Sequence, residues 1–184
     1  MKKTKLESNP MLNPVPIVLV GVTVDGKPNY TTVGAFGIVC LEPIYYISLK
    51  STHCSARGIR ESGYFSVNLP SPDLLQKTDY CGMVSGNVLD KSALFTPFYD
   101  ELGNAPMIAE CSLNYLCRVI KVEEIQGFEM FFGDIVATYI NENCLTDGKP
   151  IPHRINPIIG TGMAYHSLGG EIGKVFTAGK NLIQ

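Results

Sequence analysis

Short runs of β-branched and alternating apolar residues dominate the chain and predict a mainly β structure. The predicted strands cover residues 15–24, 44–50, 64–69, 109–124, 128–141 and 155–161. The first should begin at a sheet edge, because Pro14 and Pro16 have no amide hydrogen to donate. The short link Gln126-Gly127 joins the two longest runs into an antiparallel hairpin. Since strands do not alternate with long helices, the pattern favours an antiparallel barrel or sandwich.

Two short helices are predicted between these strands. One covers residues 53–62, with Thr52 as its N-cap and Gly63 closing it. The other covers residues 72–81, because Ser71-Pro72 combines an N-cap residue with a proline at the first helical position. Looped or irregular structure is predicted for the lead-in 1–11, residues 82–91, residues 95–106 at the surface, and the glycine-rich tail 162–184.

Length and charge narrow the class of protein. The 184 residues suit one domain, and a chain of this length can bury roughly 70% of its unfolded surface. Lysine plus arginine number 15 and aspartate plus glutamate 17, without the basic stripe that nucleic acid binding needs. No apolar run approaches the roughly 20 residues of a membrane span. Because polar residues follow the basic start, a secretory signal is not predicted either, and we expect a cytoplasmic protein.

Cysteine and histidine spacing gives no sign of a metal centre or a catalytic group. The six cysteines, at positions 40, 54, 81, 111, 117 and 144, form no C-x-x-C pair, and we expect reduced thiols. The three histidines are too scattered for a zinc site. His53 or His166 could act as an acid, but a structural role is the more common one. The glycines at 169–173 lack the spacing of a dinucleotide-binding loop.

Residues 29–53 contain the features that best suggest a binding site. The hydroxyls and small residues at 31–37 would let a flat ligand approach the backbone, although a bulged strand explains them as well. Residues 48–53 join a strand end to a helix start and add hydroxyls and a lysine, which suits an anion. Ordinary capping by Thr52 is the alternative. Lys91 lies in an irregular stretch, where a lysine is usually solvated.

Several short motifs follow one another in a fairly specific order. They are Pro16-Ile17-Val18-Leu19-Val20-Gly21, Asp25-Gly26-Lys27-Pro28-Asn29, Thr32-Val33-Gly34-Ala35-Phe36-Gly37, Ile59-Arg60-Glu61-Ser62-Gly63-Tyr64-Phe65, Asp79-Tyr80-Cys81-Gly82, Ser85-Gly86, Asp90-Lys91, and Tyr165 with Leu168-Gly169. From about residue 14 to residue 180, the chain resembles the flavin reductase-like family with an FMN-binding split barrel, and in particular its flavoredoxin branch. The resemblance implies a Greek-key antiparallel split β-barrel with few short helices, spanning residues 1–184 as one domain.

The resemblance also implies a cofactor and a partner. One FMN would bind near each interface of a homodimer, with the tail 162–184 packing near the cofactor or the partner subunit. Phe36 stands where flavoredoxin-like members commonly have tryptophan, so the aromatic wall is kept and its hydrogen-bond donor is lost. Residues 31–36 would line the isoalloxazine ring, residues 48–52 and Lys91 would hold the phosphate, and the tail would cover the far end of the ring. The implied cofactor-binding residues are Thr31, Thr32, Ala35, Phe36, Ser48, Leu49, Lys50, Ser51, Thr52, Lys91, and Tyr165 or His166.

Three function classes follow from these expectations. The first is an FMN-dependent oxidoreductase that takes hydride from a reduced nicotinamide and passes electrons on. The second is a flavoredoxin-type carrier that exchanges electrons with a redox protein and does not oxidise nicotinamides. The third is a barrel without flavin that binds another small molecule or has a structural role.

Overall fold

The computed structural model describes residues 1–182, and in them the chain is mainly β with antiparallel pairing, as predicted. The strands are β1 (Val15–Pro16), β2 (Val18–Val24), β3 (Lys27–Val33), β4 (Phe36–Ile38), β5 (Ile44–Lys50), β6 (Tyr64–Leu69), β7 (Pro97–Phe98), β8 (Met107–Ile108), β9 (Leu113–Ile125), β10 (Phe128–Ile140), β11 (Leu145–Thr146), β12 (Lys149–Pro150), β13 (Ile158–Thr161) and β14 (Ala164–Ser167). The helices are α1 (Cys54–Ser62), α2 (Leu75–Met83) and α3 (Pro152–Ile155), and 3₁₀ turns lie at Pro10–Leu12, Pro72–Leu74, Glu142–Cys144 and Lys180–Leu182.

A seven-stranded sheet forms the body of the molecule, in the order β3-β2-β6-β9-β10-β5-β4. It curls into a half-barrel. The predicted hairpin is confirmed as β9–β10, and both turn residues, Gln126 and Gly127, have positive φ, at 51° and 79°. That pair of conformations is a type I′ turn, whose twist matches the twist of the flanking strands. Three smaller sheets, β1-β13-β14, β7-β8 and β11-β12, lie outside this body.

Strand β2 is buried on both faces. Val18, Val20 and Val22 point into the main core, where Ala56 and Ile59 of α1 pack with them. Leu19 points the other way, into a second apolar cluster with Tyr30, Cys81, Phe95, Ile108 and Cys111. The structure therefore needs cover on both sides of β2: α1 covers one side, and α2 with the segment around residue 95 covers the other.

The first predicted helix is shifted by one residue. It begins at Cys54, and the residue before it is His53, so the assignment of Thr52 as the N-cap is wrong. The side chain of His53 makes no capping hydrogen bond. The predicted end is confirmed, because Gly63 has φ 73° and its amide donates to Ile59 O at 2.8 Å.

Two other predicted elements are divided in the structure. Residues 72–81 become a 3₁₀ turn followed by α2, and Ser71 does not cap with its side chain. The strand predicted at 15–24 is interrupted at Ile17, whose amide donates to Ile158 O at 3.0 Å. β1 pairs with β13, whereas β2 pairs with β3 and β6. The chain thus changes sheets at Ile17, and its start at a sheet edge is confirmed.

The surface loop predicted at 95–106 is wrong in part. Phe95 is buried and packs edge-to-face on Tyr30, with ring centroids 5.2 Å apart. Within the same stretch β7 pairs with β8. Near the end of the chain, the last predicted strand begins only at Ile158, after α3, and β14 was not predicted at all. Pairing with distant partners decides these elements, and local sequence does not report it.

The cysteines behave as expected. Within residues 1–182 all six thiols are free, and five of them are buried. In the same residues no helix combines the length and the apolar character that crossing a membrane requires.

Candidate functional site

Strands β4 and β5 bring the two candidate binding segments of the sequence together. Phe36 pairs with Ile47, and the amide of Ser48 donates to Ala35 O at 2.9 Å. Along β5 the side chains alternate, so Leu49 is buried in the main core while Ser48 is partly exposed. Leu49 can therefore offer a ligand only its backbone. The residues on either side of Pro43 form one surface.

The turn between β5 and α1 is held by two other parts of the chain. The amide and the hydroxyl of Ser51 both donate to Gly127 O in the β9–β10 turn, at 3.0 and 3.1 Å. Asn87 Nδ2 donates to Thr52 O at 3.1 Å. These bonds fix the point where α1 begins, and the amides of a first helical turn have no partner within the helix. The start of α1 is thus rigid and rich in donors.

A cavity of about 200 Å³ opens beside this helix start. Its wall consists of Thr31 on β3, residues 53–55 at the start of α1, residues 81–86 at and after the end of α2, and Lys91. Within the described part of the chain, the wall includes no aspartate or glutamate. The cavity therefore presents amides, hydroxyls and a cation without a matching negative charge.

Lys91 is the buried cation of this cavity. Its side chain is almost fully enclosed, with 3% of the residue exposed. The Nζ atom donates to Cys81 O at 3.3 Å and to Val84 O at 3.2 Å. Among the ion pairs of residues 1–182 none involves Lys91. Burial lowers the pKa of Lys91 below its ordinary value. The expectation of a solvated lysine is therefore wrong.

His53 reports the sign of the local electrostatic potential. Its pKa is lowered by burial first, and then by the positive charges of Lys50 and Lys91. A histidine whose pKa is lowered by burial and by two nearby lysines is neutral near neutral pH. The site keeps its positive potential there, which favours an anion.

The loop that carries Lys91 fits closely against α1. Gly86 lies so near Cys54 Sγ and Asn29 Oδ1 that a Cβ at this position would collide with both. Asn29 Nδ2 in turn donates to Ser55 Oγ at 2.9 Å. The absence of a side chain at residue 86 therefore allows the loop to close over Lys91. Neither contact could be read from the sequence.

A second cavity, of about 250 Å³, lies on the other side of this loop. It shares Cys54, Gly86 and Lys91 with the first cavity, but Asp25 and Asp90 stand in its wall. Asp90 accepts from Lys27 Nζ at 3.0 Å. The second cavity therefore has carboxylates beside its cations, whereas the wall of the first has a cation and no carboxylate, so the first is the better candidate for an anion.

The segment predicted to line a flat ring is held from two sides. Thr32 Oγ1 donates to Thr78 O, and Gly82 lies against Thr32, so α2 rests on this part of β3. Phe36 is half-buried, and its ring packs edge-to-face on Tyr45 with centroids 4.9 Å apart. Ala35 is exposed. The segment thus combines fixed side chains with an accessible backbone.

The tail returns to α2 through β14. Tyr165 OH donates to Asp79 Oδ1 at 2.7 Å. Burial first, and then this hydrogen bond, raise the pKa of Tyr165 to about 12. His166 is exposed, and as the next residue along the strand its side chain points to the opposite face. Of the two tail residues named from the sequence, only Tyr165 contacts α2 in this way.

The twelve sequence-predicted residues occupy three neighbouring places. Thr31 and Lys91 line the cavity, and Thr32, Ala35 and Phe36 continue along β3 and β4. Ser48–Thr52 form the end of β5 and the turn after it, outside the cavity wall. Tyr165 and His166 lie on β14, and Tyr165 contacts α2 from there. Sequence reasoning missed Ser55, Ser85 and Gly86 as part of this wall, although the Ser85-Gly86 motif was visible.

Comparison with known proteins identifies relatives for this architecture. Residues 11–156 match the family model described as flavin reductase like domain. The crystal structure of flavoredoxin from Methanosarcina acetivorans is 39% identical, with a TM-score of 0.95 over 100% of each chain. Flavoredoxin of Desulfovibrio vulgaris (Miyazaki F) is 31% identical, with a TM-score of 0.90 over 97% of this chain and 100% of that one. An uncharacterized protein from Archaeoglobus fulgidus is 34% identical over 67% of this chain and 71% of its own length.

The burial of Lys91 predicts a pH-dependent stability difference in the flavin-free protein. Between the lowered pKa of folded Lys91 and the ordinary value of 10.5, the unfolded chain binds a proton that the folded chain does not. The quantity to follow is the difference in the free energy of unfolding, wild type minus Lys91→Met. This difference should be constant at lower pH and should rise as the pH passes through this window. Urea unfolding from neutral pH to pH 10.5 measures it, and other titrating groups cancel because both proteins have them. A difference that stays flat or falls would show that Lys91 is not desolvated.

Proposed function

The chain belongs to the flavin reductase-like family, and we propose that it binds FMN and transfers electrons through it. Bound FMN supplies the redox chemistry, whereas the residues of the chain bind it, orient it and control access to it. The phosphate lies in the cavity beside Lys91. The ring lies along the surface formed by residues 31–36 and the end of β5, next to that cavity.

The buried ammonium of Lys91 is the observation that carries this proposal. An ammonium has three donors, and the two carbonyls that Lys91 contacts use two of them. Enclosing a cation without a counter-charge is costly, and a phosphate removes that cost by pairing with it. Neutral riboflavin could not do so. The site therefore favours the phosphorylated flavin.

The other predicted residues receive roles that agree with their positions. Thr31, Thr32, Ala35 and Phe36 line the ring along β3 and β4. Thr32 contributes its backbone, because its side chain points away from that of Thr31 and donates to Thr78 O. Ser48, Lys50, Ser51 and Thr52 lie outside the cavity wall, so they would contact the phosphate only from its outer edge, with Leu49 contributing its backbone. Both Ser51 donors are directed to Gly127 O. For Ser51 to contact the phosphate, its hydroxyl must rotate away from that carbonyl.

Replacing Lys91 should weaken the binding of FMN but not that of riboflavin. Losing a charge-assisted hydrogen bond costs about 1.5–3 kcal/mol, or roughly tenfold to a hundredfold in affinity. Titrating each flavin into Lys91→Ala and following the quenching of its fluorescence measures both constants. Lys149→Ala, at an exposed lysine on β12, is the matched control and should bind FMN as wild type does. Equal losses for FMN and riboflavin would contradict a phosphate contact by Lys91.

Two electron partners fit a flavin at this site. Hydride can come directly from a reduced nicotinamide, which the family description favours. Electrons can also come from a redox protein, which is favoured by the full-length similarity to two flavoredoxins. In both cases the part of the chain that the structure describes is assigned no acid–base pair. Its role is to leave one side of the ring accessible, and the exposed position of Ala35 is compatible with that.

Anaerobic mixing separates the two electron partners. If the protein is a nicotinamide-dependent reductase, NADH or NADPH should bleach the visible absorbance of the bound flavin rapidly. If it is a carrier, the absorbance should stay unchanged with both nicotinamides and fall when a reduced ferredoxin is added. Dithionite is the control that shows the flavin to be reducible. A protein that takes up no added FMN would contradict both functions.

We also propose that the chain forms a homodimer through the outer half of the β9–β10 hairpin. The inner half of β9 is buried on both faces, but Ile120, Val122, Ile125 and Phe128 are 50%, 43%, 56% and 42% exposed. Val122 lies on one face of this hairpin end, and Ile125 lies on the other with its partner Phe128. Large apolar side chains exposed on both faces are typical of a segment that a partner covers. A second copy would also place the hairpin turn, which holds Ser51, close to the interface.

The homodimer predicts a specific response to charge on this hairpin. Val122→Lys should convert a dimer into a monomer, because burying an unpaired cation at an interface costs several kcal/mol. Light scattering after gel filtration measures the mass of both proteins. Thr138→Lys, at an exposed position of β10, is the comparison variant. A wild-type protein that is monomeric at all concentrations would contradict the proposal.

A further inference from the structure

One charged hydrogen bond joins β14, the first strand of the tail, to α2. Tyr165 on β14 donates to Asp79 on α2, which lies 86 residues earlier in the chain. Beyond β14 the described tail makes few contacts: a Cβ at Gly169, Gly170 or Gly179 would meet no atom within 4 Å. Apart from the pairing of β14 with β13, this bond is the side-chain hydrogen bond that the structure shows between β14 and the body in residues 1–182.

This hydrogen bond lies beside the segment to which the proposed function assigns the flavin ring. α2 rests on β3 through Thr78, which accepts from Thr32 Oγ1, and through Gly82, which lies against Thr32. Asp79 directly follows Thr78. The phenol that reaches Asp79 is therefore brought to the same part of α2 that contacts the ring-lining strip.

The chemistry of Tyr165 and Asp79 makes the hydrogen bond between them strong. An O–H donor to an ionised carboxylate forms a shorter and stronger bond than a neutral pair does. The pKa of Tyr165 is raised to about 12, so the phenol keeps its proton at every pH at which the protein would work. On the neighbouring position, His166 points to the other face of β14 and cannot replace it.

We propose that Asp79 is a positioning residue, which holds Tyr165 and the strand β14 over the α2 side of the flavin site. The inference rests on the proposed function, because it assigns the ring to residues 31–36. Asp79 does not touch the flavin itself. It acts through Tyr165 and restricts the access of solvent and solutes to that side of the ring. The same bond keeps the tail after residue 167 close to the body.

Three variants separate the effect of this hydrogen bond from other effects of the two side chains. Tyr165→Phe keeps the ring and removes the donor, and Asp79→Ala removes the acceptor. Asp79→Asn keeps an oxygen acceptor of the same shape without the charge and should restore part of the effect. Asp73→Asn, at an exposed aspartate in the 3₁₀ turn before α2, is the control. The double variant Asp79→Ala/Tyr165→Phe should be no worse than either single variant, because both remove one bond.

Amide hydrogen exchange of the flavin-free protein tests this hydrogen bond without any cofactor. The peptide that contains β14 (Ala164–Ser167) pairs with β13 and reports the opening of the strand directly. Losing a partly exposed hydrogen bond should raise the population of the open strand, and with it the exchange rate, about fivefold in Tyr165→Phe and Asp79→Ala. Asp79→Asn should fall between these variants and wild type, and Asp73→Asn should exchange as wild type does. Equal rates in all variants would overturn the inference.

The rate at which dithionite bleaches the visible absorbance of bound FMN, without oxygen, tests the positioning. If Asp79 holds a cover over the ring, this rate should rise about twofold or more in Tyr165→Phe and Asp79→Ala, with Asp79→Asn between them and wild type. Faster exchange of the β14 amides without any change in the bleaching rate would overturn the positioning role. A protein that takes up no FMN contradicts the proposed function instead, and the exchange rates then still decide whether Asp79 holds β14.

Discussion

The burial of strand β2 on both faces is the constraint on which the rest of the structure depends. A strand rich in valine on one face and carrying Leu19 on the other must be covered twice. α1 covers the first side, and α2 with the segment around Phe95 covers the second. Because the two helices flank the same sheet region, the start of one comes near the end of the other. The candidate cavity lies where they meet.

The charge at Lys91 shows how this arrangement favours a ligand. An ammonium that is enclosed with two carbonyls and no carboxylate is a local cost to the folded protein. Natural proteins tolerate such costs mainly at functional sites, where a ligand offsets them. The neighbouring cavity has the same loop as its wall but includes aspartates. Charge, rather than size, therefore distinguishes the anion site from the cavity beside it.

Sequence reasoning was most reliable where local chemistry decides the structure. The hairpin link at Gln126-Gly127, the helix end at Gly63 and the proline-rich start at a sheet edge were all predicted and confirmed. It failed where a distant contact decides. Thr52 looks like a helix cap, but the bonds of Ser51 to Gly127 and of Thr52 to Asn87 place the helix start one residue later. Lys91 looks solvated until Gly86 allows its loop to close against Cys54.

The sequence by itself determined the fold class and the family, because alternation, turn residues and ordered motifs are local and survive in the linear chain. It also indicated the two segments that face each other across β4 and β5. Only the tertiary structure decided that Lys91 is buried and unpaired, that His53 lies in the field of two lysines, and that Tyr165 rather than His166 contacts α2. Burial, electrostatic potential and the direction of a side chain arise from residues far apart in sequence, and they exist only after the chain has folded.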